Sequence, residues 1–141
     1  MSSSQELKQA GLKTTLPRLR ILSVLEEGEQ HHFTAEEVYK KLLEAGEEIA
    51  FATVYRVLTQ FENAGLVLRH NFEGGRSVFE LDDGEHHDHM VCLKCNSVTE
   101  FFDAEIEKRQ IIAAEKFGFA LEDHSLYMYG ICKNCQESAK K

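Results

Sequence analysis

Residues 50–65 carry the most informative pattern in the chain. Val54, Val57, Leu58 and Phe61 recur at i, i+3, i+4 and i+7, the spacing of one helix face, so they must meet a core. Ala52, Tyr55, Arg56 and Thr59 share that spacing on the other face. A small residue, an aromatic hydroxyl, a guanidinium and a hydroxyl suit either a solvated surface or a reader of the DNA major groove. Shorter helices precede this one. Residues 5–10 form an amphipathic segment ended by Gly11. Thr15 with Pro17 fits a helix start, and Leu19, Ile21, Leu22 and Leu25 then give a buried face up to Gly28. Thr34 and Glu37 form a capping box, followed by Val38, Leu42 and Leu43 at helical spacing and a stop at Gly46.

Beyond that helix the period shortens. Residues 66–72 and 76–81 are β-type runs separated by Glu73, Gly74 and Gly75, a hairpin signal. Helices followed by a two-stranded hairpin describe a winged helix-turn-helix, with Arg69, His70 and Arg76 as positive charge on the wing. The second half should be a small α/β domain. Strands are expected over 91–93 and 97–102, and Asp103 should cap a helix to 117 with Ile106, Ala113 and Phe117 turned inward and Gly118 as terminator. Residues 119–131 alternate as one long strand, with Leu126 and Met128 opposed to Tyr127 and Tyr129. Residues 136–141 form a polar tail expected to be mobile. The fold class is α+β, with a DNA-binding domain over 1–82, a hinge over 83–85 and a dimerisation and metal-binding domain over 86–141.

Composition adds limits. A chain of 141 residues, 43% of them hydrophobic and one a proline, is globular and forms one domain or two small ones. No apolar run of about 18 residues is present to span a membrane, and residues 1–16 lack a signal-peptide core, so a cytoplasmic protein is expected. A net charge of −8 argues against nucleic acid, but the first 25 residues carry Lys8, Lys13, Arg18 and Arg20 against Glu6 alone.

Candidate chemistry concentrates at His86, His87, Asp88 and His89, just before Cys92 and Cys95. On a strand, His87 and His89 face one way and His86 and Asp88 the other, giving two half-built metal sites. His87 and His89 have candidate partners at a distance in His32, Glu80 and Glu100. His86 and Asp88 have Glu107 and His124. Such nitrogen and oxygen sets suit ferrous iron, manganese, cobalt or zinc at higher coordination. Cys92, Cys95, Cys132 and Cys135 fall in two Cys-x-x-Cys pairs, the ligands of a tetrahedral structural zinc site, with thiol redox chemistry as the rival. Four thiolates leave no open position for water, and the His-x-Glu and Pro-Cys-x-x-Cys pattern of zinc deaminases is not met, so an enzyme is not expected. A metal store would leave the winged helix unexplained.

Seven separated segments resemble the ferric uptake regulator family in its order: residues 11–20, 31–39, 52–58, 70–75, 79–81, 86–89 and the pair Cys92 and Cys95. The resemblance implies a homodimeric, metal-dependent repressor of iron-uptake genes that binds a double-stranded operator, with tetramers left open. It implies a regulatory ferrous site of His32, Glu80, His87, His89 and Glu100, in which manganese or cobalt can substitute. It implies a second nitrogen and oxygen site of His86, Asp88, Glu107 and His124, and structural zinc on the four cysteines. Tyr55 and Arg56 match major-groove contacts and Lys13 a minor-groove contact. Glutamates at 80 and 100 resemble the iron-uptake branch more than the peroxide-sensing one. Zinc or peroxide sensing is the nearest alternative.

Overall fold

The structure is a computed structural model that describes residues 2–139. The chain divides into two compact units, Met1–Gly84 and Glu85–Lys141, and the division falls inside the expected hinge.

The first unit holds α1 (Ser3–Gln9), α2 (Leu16–Glu26), α3 (Ala35–Glu44), α4 (Phe51–Asn63), β1 (Val67–Phe72) and β2 (Arg76–Leu81). Local chemistry starts most of these helices. Ser2 with Gln5 and Thr34 with Glu37 form capping boxes, and the Thr15 hydroxyl accepts from the Arg18 N–H with Pro17 in the first turn. Alone, α4 has no side-chain cap at its start. It is held by packing, with Val54, Val57, Leu58 and Phe61 in one cluster with Leu7, Ile21, Leu22, Leu25, Val38 and Leu42. Leu43 departs from the expectation and is 49% exposed, because it lies about 100° around the helix from Leu42, which fills the core position.

β1 and β2 pair antiparallel from Val67 with Leu81 to Phe72 with Arg76, and Gly74 and Gly75 take the positive φ the turn requires. One pairing was not visible in the pattern. Phe33, between α2 and α3, exchanges two backbone hydrogen bonds with Phe79 at 2.9 and 2.7 Å. Both rings are fully buried, and the bridge ties the segment before α3 to the outer edge of the hairpin.

The second unit holds β3 (Asp88–Cys92), β4 (Val98–Phe101), α5 (Ala104–Lys116), β5 (Tyr127–Gly130) and α6 (Lys133–Ala139). Its sheet has the order β4-β3-β5, antiparallel on one side of β3 and parallel on the other. Asp103 caps α5 by accepting from the N–H groups of Glu105 and Ile106.

Three expectations for this unit are corrected. No residue of α5 is buried; Ile106 is half-buried, Ala113 is exposed and Phe117 is 75% exposed, since a three-stranded sheet of short strands covers little of the helix. The long strand over 119–131 shrinks to β5, because Glu122, Asp123, His124 and Ser125 interrupt the apolar alternation. The tail expected to be mobile instead runs into α6, whose first turn is closed by the Gln136 N–H donating to the Cys132 carbonyl at 3.0 Å. Lys140 and Lys141 lie outside the described residues. No helix among those residues is long and apolar enough to cross a membrane.

Candidate metal centres and nucleic-acid face

α4 turns Ala52, Tyr55 and Arg56 to solvent, with Tyr55 44% exposed, while Thr59 is half-buried. Beside them runs a groove lined by Lys13, Thr15, Arg18, Thr53, Arg56 and Gln60. Arg18 shapes it, donating to the Lys13 carbonyl at 2.9 Å and to Gln60 Oε1 at 3.0 Å. Thus the start of α2 and the exposed stripe of α4 present Lys13, Arg18 and Arg56 together. Pattern reading counted the charge of Arg18 but did not place it here. The wing is less basic than expected, because His70 turns inward and the Arg76 guanidinium lies 5.7 Å from the Phe72 ring centre.

Within the same unit the Phe33–Phe79 bridge explains how two distant ligand candidates meet. An antiparallel pairing of 33 with 79 sets residue 32 against residue 80. His32 Nε2 lies 2.9 Å from Glu80 Oε2, and His70 Nε2 lies 2.5 Å from Glu80 Oε1. Glu80 is buried, a costly position for a carboxylate without partners. The nitrogen–oxygen separation of His32 and Glu80 is near the ~3 Å expected of adjacent ligands on an ion with bonds of about 2.1 Å. His70 was missed as part of this group. Its signal was its place two residues across the hairpin from Glu80 on the same side, hidden by the expectation that it lay on the wing surface.

In the second unit β3 begins at Asp88, so His86 and His87 precede the strand, yet their contacts still sort by side. His86 Nε2 lies 3.1 Å from Asp88 Oδ1 and 2.9 Å from Glu107 Oε1, and His124 Nε2 lies 2.6 Å from Glu107 Oε2. His86, Glu107 and His124 bring donor atoms within 4.8 Å of one another, and Asp88 adjoins them through His86. Asp88 is fully buried and its Oδ2 has no hydrogen-bond partner among the described residues, which fits a cation. Burial opposes charge on Glu107, but the His124 hydrogen bond and the charges of His86 and His124 outweigh it, so its carboxyl sits below the usual range. On the other side, His89 is buried, opposite Glu100 in the β3–β4 register and edge-on to Tyr127. His87 is the loosest member, 3.9 Å from Glu100 and 3.7 Å from Glu85.

The four cysteines gather where β3 and β5 end side by side. Cys92 pairs in register with Gly130, which brings Cys132 and Cys135 to the Cys92 knuckle, and Asn96 takes a positive φ to turn that knuckle. All four sulfurs lie within 4.8 Å of one another, with Cys92 to Cys135 and Cys95 to Cys132 both at 3.8 Å. A tetrahedron with zinc–sulfur bonds of about 2.3 Å has edges of about 3.8 Å, so the donor set fits zinc without rearrangement. Backbone N–H groups of Cys132 and Cys95 aim at Cys92 Sγ and lower its pKa to about 6. The neighbouring Cys132 side chain, with burial and the other two thiols, pushes Cys135 up to about 12. A cluster that resists its last negative charge is one that calls for a cation.

An exposed helix stripe beside the Lys13, Arg18 and Arg56 groove and a two-stranded wing in one unit, with thiol and imidazole–carboxylate clusters in the other, define the class of a metal-binding winged-helix protein. Comparison with known proteins makes the class specific. The family model described as the ferric uptake regulator family matches residues 9–129, and the chain belongs to that family of metal-dependent, DNA-binding regulators, which are not enzymes. It is 62% identical over 136 residues to the ferric uptake regulation protein of Legionella pneumophila, covering 96% of this chain and all of that one. The solved ferric uptake regulator of Vibrio cholerae matches with 60% identity and a TM-score of 0.87 over 92% of this chain and 98% of its own. That of Pseudomonas aeruginosa, solved with manganese, matches with 58% identity and a TM-score of 0.78 over 94% and 99%.

Proposed function

We propose that this protein is a ferrous-iron-dependent repressor of iron-uptake genes, binding its operator as a homodimer. Its regulatory ion is held by His32 and Glu80 of the first unit with His87, His89 and Glu100 of the second. His86, Asp88, Glu107 and His124 hold a second ion, and the four cysteines hold structural zinc. The observation that carries this reading is the buried His32–Glu80 pair in the very unit that bears the reading helix. Those two residues add nothing apolar to the core, and their donor atoms are spaced as ligands. A bound divalent cation supplies a crosslink between the two units. The chain's own residues do the rest. Lys13 enters the minor groove and Arg18 takes a phosphate, Tyr55 and Arg56 take base edges, with Thr59 beside them on the same stripe of α4, and α5 with the Phe117 that caps it offers Ile111, Ile112 and Phe117 for a second copy to cover.

With the units joined, the separation of two reading helices in a symmetric dimer is set to half-sites about 34 Å apart. Coupling of this kind amounts to about 1–3 kcal/mol, or roughly 5- to 150-fold in operator affinity. The relatives named for ferric uptake support iron, and the manganese-bound relative supports substitution by Mn(II). The test is an anaerobic gel-shift titration with Fe(II), Mn(II) or Co(II). Operator binding should require one of these ions and vanish on chelation. Equal binding by protein that retains zinc but lacks the regulatory ion would overturn the proposal.

A further inference from the structure

We infer that Arg69 is a positioning residue that holds Tyr55 in place for base reading, and is not a phosphate contact of the wing. On β1 its side chain is mostly buried and every part of the guanidinium is engaged inside the first unit. Nη1 donates to the Tyr55 hydroxyl at 3.1 Å, and Nη2 donates to Thr59 Oγ1 at 3.0 Å. Nε lies 3.2 Å from Glu62 Oε1, an ion contact off the hydrogen-bond direction. The guanidinium carbon sits 4.8 Å from the centre of the Phe79 ring and 5.4 Å from that of Tyr55.

These partners have an order. Tyr55, Thr59 and Glu62 stand at i, i+4 and i+7, one stripe of α4, and the planar fork of Arg69 spans that stripe as a flexible ammonium would not. The far side of the fork is fixed as well, since Arg69 pairs in register with Phe79, which the bridge to Phe33 immobilises. Thr59 is itself anchored by donating to the Tyr55 carbonyl at 3.0 Å. A half-exposed tyrosine on a helix would otherwise sample several rotamers, and a methyl or base-edge contact depends on where the ring lies. Glu62 meanwhile neutralises the guanidinium, which leaves little charge for a phosphate.

The inference rests on the reading that the exposed stripe of α4 meets bases, and its test separates the two. The manganese-loaded full chain selects a duplex from a random-sequence pool, and binding is measured to that duplex and to a scrambled one over a range of salt. Arg69→Met should weaken binding to the selected duplex about 3- to 10-fold, the cost of re-ordering one freed side chain. Binding to the scrambled duplex and the salt slope should stay as in the wild type. Tyr55→Phe, which removes only the hydroxyl, should do the same, and the double variant should be no worse than either single one. Arg69→Lys, which keeps charge but loses the fork, should resemble Arg69→Met.

A salt slope reduced by about one with both duplexes weakened alike would make Arg69 a phosphate contact and overturn the inference. So would additive effects of the two single variants. If Arg69→Met does not fold, Tyr55→Phe and Arg69→Lys carry the same comparison. Tyr55→Ala and Arg56→Ala that leave the duplex preference intact would instead remove base reading by this helix, and the inference with it.

Discussion

The two units solve the same packing problem by opposite means. The first encloses a closed apolar cluster drawn from every helix and the hairpin, with His32, His70 and Glu80, whose side chains are 8–10% exposed, as its polar exception. In the second, Val91 and Cys92 are the only buried hydrophobic side chains described, while Asp88 and His89 are buried beside them and the apolar residues of α5 face outward. A unit of under 60 residues with so little core needs a staple from outside the hydrophobic effect, and its interior is built of side chains able to hold a metal. The first unit owes its shape to its own sequence. On the proposed reading, the second draws on ions and on a second copy.

Metal removal should break that contrast most visibly. Chelation of zinc should unfold the second unit and leave the first folded, because structural zinc contributes on the order of 10 kcal/mol to such sites. Residue-resolved NMR would show loss of dispersion confined to residues 85–139, and Cys92→Ser should give the same pattern. Coincident loss of both units would mean that they fold as one. Phe61→Ala should act on the other side, costing the first unit about 3–5 kcal/mol through the cavity it leaves. Differential scanning calorimetry should then show one transition moving down while the second-unit transition stays. A smaller effect tests the polar exception in the first unit. His70→Ala should lower regulatory-metal affinity about 10- to 100-fold by freeing Glu80 Oε1, with the helical circular dichroism unchanged. Unaltered affinity for Co(II) would show that His70 has no part in holding that ligand.

The smallest effect concerns a surface acid in the first unit. Burial, then the neighbouring Glu6, raises the Glu26 pKa above its ordinary value of 4.5. A raised carboxyl favours folding below that value, and the benefit is lost as pH rises through the folded value. Glu26→Gln should therefore stabilise the protein at pH 7 by no more than about 0.5 kcal/mol, after allowance for solvent screening. That gain should disappear below pH ~4. A Tm shift that persists at low pH would point to a cause other than charge.

What could be read in advance follows the same divide. Thr15, Thr34 and Asp103 announce helix starts, and Gly74 with Gly75 announces the turn, because caps and turns are settled within a few residues. The inward stripe of α4 was legible because that helix finds its core within its own unit. Ile106, Ala113 and Phe117 were misjudged because amphipathicity says that a face must be covered, not whether the cover lies in the same chain. The approach of His32 to Glu80 depends on a bridge between Phe33 and Phe79, 46 residues apart, to which no local propensity points. The ligand types were thus evident, whereas their convergence in space, and the role of His70 within it, were not.

The parallel pairing of β3 with β5 has a consequence for biosynthesis. Both thiol knuckles leave the same end of neighbouring strands, so the chain must complete the whole passage through β4 and α5 before the second pair can arrive. A polypeptide emerging from the ribosome presents Cys92 and Cys95 unmatched until Cys135 has been made, while the reading head, finished long before, can already fold. On the proposed zinc site, capture of the ion would be the closing event of assembly, and a chain halted before it would carry a folded first unit on a body open to oxidation and proteolysis.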